Sequence, residues 1–372
     1  MAANVADYKL FTPLKIGKDL EIKNRIVFAP LTRGRAGEDR VPSEISQIYY
    51  EQRSGAGLII TEGAGISEQG YGWYHAPGLY TEAQAEGWKK VVDRVHAKGS
   101  KIFLQLWHLG RQSHTSFNDK RDLVAPSALK LEQGHTRTAD YVQAPYETPR
   151  ALETDEIPQV VEDYRRSAEL AKQAGFDGVE IHCANGYLLA EFLQSVTNQR
   201  TDKYGGSFEN RARIVLEVVE AVKSVWSADR IGVRISPNGG FGGMGSEDNH
   251  EMYTYLMDQL SGHGLGYLAI LDGFGFGYHG KSRLVTAFDA KKHFQGTVMA
   301  NCSYTRDTAE GVLRSGAADM VSFGRPYISN PDLAERFQND WPLNPPASFE
   351  NFYRGGEVGY IDFPAYKPNE SN

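Results

Sequence analysis

The sequence predicts an α/β protein, a single (β/α)8 barrel of the TIM type forming one domain over residues 1–372. An N-terminal hairpin closes its bottom, and a long excursion follows the third strand. Three observations predict this. Eight short runs rich in β-branched residues recur along the chain, each ending in Gly, Pro or a polar residue. Longer stretches of helical period lie between them. The length, 372 residues, exceeds an ordinary domain but is one that barrels of alternating strands and helices reach with insertions.

The eight runs cover 25–30, 58–63, 101–108, 178–185, 231–237, 267–273, 296–302 and 320–326, and the clearest helical patterns cover 81–98, 158–174, 209–226, 248–261 and 305–315. Near-continuous apolar strands alternating with amphipathic helices mean a parallel sheet covered by helices, because each parallel crossover lays a helix on the sheet. Eight such units favour closure. The alternative, an open doubly wound sheet, needs a G-x-G-x-x-G turn after an early strand to hold a dinucleotide; the first run ends instead in Ala29-Pro30-Leu31-Thr32. Ahead of it, 10–24 reads as a hairpin around Gly17-Lys18-Asp19, placed to plug the N-terminal mouth. Residues 114–153 carry Pro, Gly and charge with little periodicity, and long excursions on the C-terminal face serve a site.

Hydrophobic residues at 41% and charged residues at 23% suit a globular chain with a sizeable core. Forty Lys and Arg against 47 Asp and Glu give a net charge of −7 without a basic run, so the expected partner is a small molecule, not nucleic acid or membrane. The two cysteines, Cys183 and Cys302, have no C-x-x-C spacing and support neither a disulfide framework nor an iron–sulfur site; both are expected as small buried hydrophobes. Residues 1–7 lack a basic segment followed by an apolar one, no apolar stretch approaches a membrane span, and 369–372 match no address signal. A cytoplasmic protein is expected.

In barrels of this kind the reactive groups sit at the C-terminal ends of the strands. Those ends offer Thr32, Gly63, Gln105 with Trp107 and His108, His182 with Asn185 and Tyr187, Arg234, Asp272, Asn301, and Gly324 with Arg325. Without a cluster of carboxylates, neither glycoside hydrolysis nor a magnesium site is well supplied. No G-x-S-x-G is present, and His182 has no partner at zinc spacing because Cys183 adjoins it and points to the other face of its strand; no metal is expected. What remains is a site for a planar, polar molecule on which negative charge is stabilised.

Five segments carry a resemblance: Phe28-Ala29-Pro30-Leu31-Thr32, Gln105-Leu106-Trp107-His108, His182-Cys183-Ala184-Asn185-Gly186-Tyr187, the stretch from Asn198 to Ser207, and Phe323-Gly324-Arg325-Pro326. In that order they resemble the old yellow enzyme family, FMN-dependent ene reductases that include the plant 12-oxophytodienoate reductases. The resemblance implies reduction of the C=C bond of α,β-unsaturated carbonyls (enones, oxylipin-type compounds, maleimides) and of nitroalkenes, with NADPH as electron source. It implies that Pro30, Leu31, Thr32, Gly63, Gln105, Arg234, Asn301, Gly324 and Arg325 bind the cofactor: Thr32 bonds the flavin C4 oxygen, Gln105 and Arg234 hold the pyrimidine edge, and Gly324 and Arg325, with Asn301 beside them, serve the FMN phosphate. His182 and Asn185 would donate to the substrate carbonyl oxygen, lowering the energy of the enolate, and Tyr187 would protonate the α-carbon. Trp107, Phe241 and Tyr353 would line the substrate space, with Phe352 next to Tyr353. The FMN is expected to be non-covalent and the protein a monomer or homodimer. Ala300-Asn301-Cys302 stands where many members have a Gly-rich turn, and Phe241 where a Tyr is frequent. The Gly- and aromatic-rich stretch 272–280 reads as a lid.

Plainer roles compete. A lone strand-end histidine is more often structural, and what sets His182 apart is Asn185 and Tyr187. Trp107 and Tyr187 also suit a core or rim, Arg325 a helix cap, and Arg234 a partnership with a buried acid. Gly324-Arg325 would equally hold the phosphate of a phosphorylated metabolite, and a non-catalytic flavin-binding barrel is a further alternative. Visible colour and its recovery with an enone separate these readings.

Overall fold

Eight parallel strands close into a barrel, each within or overlapping one of the expected runs. The computed structural model describes residues 5–120, 122–275 and 277–368. The expectations that fall on 1–4, Phe276 and 369–372 lie outside the described residues. The chain begins with an antiparallel hairpin, β1 (Leu14–Ile16) and β2 (Leu20–Ile22). Barrel strands β3 (Ile26–Phe28), β4 (Leu58–Gly65) and β5 (Lys101–Trp107) follow. The excursion forms two small ribbons: β6 (Val124–Ala125) beside β9 (Arg150–Ala151), and β7 (Thr136–Arg137) beside β8 (Gln143–Ala144). The barrel is completed by β10 (Gly178–Cys183), β11 (Ile231–Ile235), β12 (Tyr267–Leu271), β13 (Thr297–Asn301) and β14 (Met320–Phe323), which pairs with β3.

The five expected helices form as α2 (Glu82–Ala97), α3 (Ile157–Gln173), α5 (Phe208–Lys223), α6 (Asn249–Ser261) and α8 (Arg306–Arg314). Their starts are written locally. A capping box joins Thr81 and Gln84 at α2, and Ser207 accepts from Asn210 N–H at α5. Shorter helices lie outside those clearest patterns: α1 (Glu44–Gln52), α4 (Leu188–Leu193), α7 (Ala287–His293), α9 (Arg325–Ser329) and α10 (Leu333–Gln338). Every residue of α4 is buried, so it has no polar face and leaves no amphipathic period to read. No described helix is long and apolar enough to cross a membrane.

The hairpin does plug the barrel. Ile16, Leu20 and Ile22 pack with the inward residues Val27, Leu58, Ile60, Phe103, Tyr267, Met299 and Met320. Two glycines make room for the large rings: a Cβ on Gly178 would meet Phe103 at 2.4 Å, and one on Gly232 would meet Tyr267 at 2.2 Å. Residues of opposite parity, such as Val179, Ile181 and Cys183, join the core between barrel and helices. In β4 the register slips between Ile60 and Gly63, one extra residue standing against β5. Next to this bulge the Glu62 carboxylate accepts the N–H groups of Arg33 (2.9 Å) and Gly34 (3.1 Å), fixing the loop that carries Thr32.

Candidate active site

The alternation of β10 turns Cys183 outward and aims Glu180 and His182 into the barrel, Glu180 below and His182 at the mouth. Beyond the strand, Asn185 (φ 58°) and Gly186 (φ 71°) are both left-handed, a pair that reverses the chain and that Asn and Gly adopt at least cost. Gln112 Nε2 donates to both of their carbonyls, at 2.7 and 2.6 Å, while Asn185 N–H donates to Ser236 Oγ at 2.7 Å. With its main chain held this way, Asn185 lines the cleft at the barrel mouth and Tyr187 stands at the N-cap of α4.

Tyr187 lies between two rings, 4.9 Å from Trp107 and 5.1 Å from His182 between centroids, edge-on to both. Burial pushes its phenol well above the ordinary range, so it keeps its proton at neutral pH. Burial and then the charge of Arg234 hold His182 well below its ordinary value, so its ring is neutral and carries one N–H.

The cleft above these residues has an empty volume of about 890 Å³, and a second space of about 840 Å³ continues from it. The two share Pro30, Leu31, Asn185, Arg234 and Arg325, so they form one elongated groove. One end is walled by Thr32, Gln105, Trp107, His182, Tyr187, Phe241 and Tyr353, the other by Asn301, Ser322 and Gly324. Every residue that the resemblance assigns to the site lines this groove except Gly63; the strand-end residues His108 and Asp272 do not line it. A Cβ on Gly63 would meet the Trp107 indole at 2.6 Å, so its part is to leave room for that ring.

Some assignments shift. Asn301 lines the groove, but its amide is engaged: Oδ1 accepts Arg234 Nη2 at 2.7 Å and Nδ2 donates to Ser322 O at 2.8 Å. Cys302 is not a buried hydrophobe. It is only partly buried, has φ 94°, and its Sγ accepts Gly275 N–H at 3.1 Å. Arg234 does sense a buried acid, Glu180, whose charge favours the charged guanidinium against burial.

Sequence reasoning passed over Arg33, Trp73 and Ile328, which also line the groove. Buried Arg33 donates from Nε to Phe352 O (2.8 Å) and from Nη2 to Asn351 O (3.2 Å) and Gly359 O (3.0 Å), pinning the C-terminal segment to the loop that follows β3. This places Phe352 and Tyr353 on the wall, with Tyr353 edge-on to Trp73 at 5.4 Å. The one available signal was the position of Arg33 beside Thr32 at a strand end.

On residues that line the groove, Arg234 Nη1, His182 Nδ1, Trp107 Nε1 and Ser322 Oγ are buried without a partner among the described residues. Each such atom costs about 1–3 kcal/mol if it stays unpaired. A flat ligand rich in hydrogen-bonding atoms, with an anionic tail towards Arg325, answers this set. FMN has that chemistry, and the residues present fit it.

Comparison with known proteins gives the same picture. The family model described as NADH:flavin oxidoreductase / NADH oxidase family matches residues 9–344. The chain is 41% identical over 371 residues to 12-oxophytodienoate reductase 1 of Oryza sativa subsp. japonica, covering 97% of this chain and 94% of that protein. It is 36% identical over 366 residues to 12-oxophytodienoate reductase 2 of Arabidopsis thaliana, covering 96% and 95%. Among solved structures, morphinone reductase in complex with tetrahydroNAD superposes with a TM-score of 0.90 at 45% identity, over 98% of this chain and 99% of the other. The old yellow enzyme homologue from Zymomonas mobilis superposes with a TM-score of 0.91 at 42% identity, over 96% and 99%.

Proposed function

The chain belongs to the NADH:flavin oxidoreductase / NADH oxidase family, and from that premise we propose that it is an FMN-dependent ene reductase, a single-domain enzyme that reduces the C=C bond of α,β-unsaturated carbonyl compounds with electrons from a nicotinamide. The observation that carries the reading is the convergence of neutral His182, Asn185 and protonated Tyr187 over a groove floored by Gln105 and Arg234.

Bound FMN supplies a two-electron carrier between nicotinamide and substrate. Thr32, Gln105 and Arg234 bind its ring, and Arg325 with the Gly324 main chain binds its phosphate, non-covalently. The His182 N–H and the Asn185 amide donate to the substrate carbonyl oxygen and stabilise the negative charge that grows there as the β-carbon is reduced. Tyr187 holds a proton at Oη and delivers it to the α-carbon. Trp107 and Tyr187 exclude water from this end of the groove, and Phe241 and Tyr353 bound the substrate. Family membership in a flavin oxidoreductase class speaks against a barrel acting on a phosphorylated metabolite. Catalysis, as opposed to flavin binding alone, is supported by the joint presence of both carbonyl donors and the proton donor. The reading extends to NADPH as reductant, to enones, maleimides and nitroalkenes as substrates, and to a cytoplasmic monomer or homodimer. Two free cysteines suit a reducing compartment.

The test is product analysis. With 2-cyclohexenone and NADPH or NADH under nitrogen, the saturated ketone is the expected product. An allylic alcohol, or turnover that persists after FMN is removed, would contradict the proposal.

A further inference from the structure

One buried group near the site has no role in this scheme. Glu180 is fully buried inside the barrel, one inward position below His182. Its Oε1 accepts Gln105 Nε2 at 2.8 Å and its Oε2 accepts Tyr267 Oη at 2.9 Å. The contact with Tyr267 spans a whole strand. Glu180 pairs with Gly232 on β11, and Gly232 pairs with Tyr267 on β12. Only the missing side chain at Gly232 lets the Tyr267 ring cross to the carboxylate, since a Cβ there would meet that ring at 2.2 Å.

Two consequences follow for the groove. A carboxylate accepts only, so it takes an N–H of the Gln105 amide and fixes which way that amide faces. Arg234, in the level above, hydrogen-bonds Asn301 through Nη2 and leaves Nη1 buried and unpaired towards the groove. Burial raises the Glu180 carboxyl, while the charge of Arg234 and the hydrogen bonds from Gln105 and Tyr267 favour its charged form; as a carboxylate it acts on Arg234 without an ion-pair contact and offsets part of the positive field that the guanidinium presents to a ligand.

We propose that Glu180 is a positioning residue: it aims the Gln105 amide and sets how strongly Arg234 stabilises negative charge on the bound ring, and thereby the flavin's reduction potential. This rests on FMN occupying the groove. A parent protein that neither carries nor takes up FMN would defeat that reading and not this one, which is judged only on flavin-loaded protein.

The experiment is redox titration of the bound flavin in the parent, Glu180→Gln and Glu180→Asp. Glu180→Gln removes the charge and keeps the shape. Reduced flavin, which carries negative charge, should then be favoured at least tenfold, read as a positive shift of about 30 mV for a two-electron couple. Reduction by nicotinamide should quicken and reoxidation by enone slow, a pair of opposite changes that simple loosening of the barrel would not produce. Glu180→Asp keeps the charge and should stay within about threefold of the parent. An unshifted Glu180→Gln, or an equal shift in both variants, would overturn the proposal. If Glu180→Gln folds but does not retain flavin, Tyr267→Phe decides: it strips a donor from the carboxylate and should move the potential negative, and no shift or a positive one would overturn the proposal.

Discussion

The phenol ring of Tyr187 meets the imidazole of His182 edge-on, with centroids 5.1 Å apart. In the proposed reaction the imidazole donates to the substrate carbonyl oxygen, and the phenol supplies the proton to the α-carbon. Tyr187→Phe keeps the ring and removes only the acid. FMN binding and reduction by nicotinamide should stay close to the parent, whereas reoxidation by a cyclic enone should slow by about a hundredfold or more, the usual scale for losing general acid catalysis. Nitroalkenes should suffer less, because their anion is stable unprotonated. Slower flavin reduction with unchanged enone reoxidation would remove Tyr187 from the acid role.

His182 and Asn185 should also bind a preformed oxyanion. Phenolates are expected to bind the oxidised protein and give a long-wavelength charge-transfer band. Losing one well-placed donor costs about 3 kcal/mol, so the His182→Ala, Asn185→Ala double variant should lose both the band and enone turnover by orders of magnitude. Unchanged phenol affinity in spectral titration would refute the assignment.

His108 gives a pH prediction independent of catalysis. Burial pushes it down to about 3; its Nδ1 accepts Gly110 N–H at 3.1 Å and its Nε2 has no partner among the described residues. An unfolded histidine titrates near 6.5. Between those values the unfolded chain binds a proton that the folded one refuses, so stability falls as pH drops, by about 1.4 kcal/mol per unit. In urea unfolding at pH 7 and pH 5, His108→Gln should lose about 2 kcal/mol less than the parent between the two. An equal loss would show that His108 protonates in the folded state.

How much of this was legible in the sequence depended on the reach of each contact. The barrel was, because eight apolar runs and the turn at Gly17-Lys18-Asp19 are local patterns. The grouping of His182, Asn185 and Tyr187 at one end of the groove was, because they are close in sequence. Glu180 was passed over although it stands two residues before His182: nothing local tells a buried carboxylate from a solvated one, and its partners Gln105 and Tyr267 are 75 and 87 residues away. Arg33 was hidden for the same reason, since the main-chain carbonyls it binds in the C-terminal segment lie more than 300 residues further on. Cys302 was misjudged because its exposure follows from left-handed backbone at 302 and 303, which composition does not announce.

The most direct measurement of the central claim is anaerobic double-mixing stopped-flow on the flavin-loaded protein. NADPH or NADH should bleach the visible flavin band, and 2-cyclohexenone should then restore it at a rate rising with enone concentration. A band that nicotinamide bleaches but no cyclic enone, maleimide or nitroalkene restores faster than buffer alone would contradict the assignment as an ene reductase.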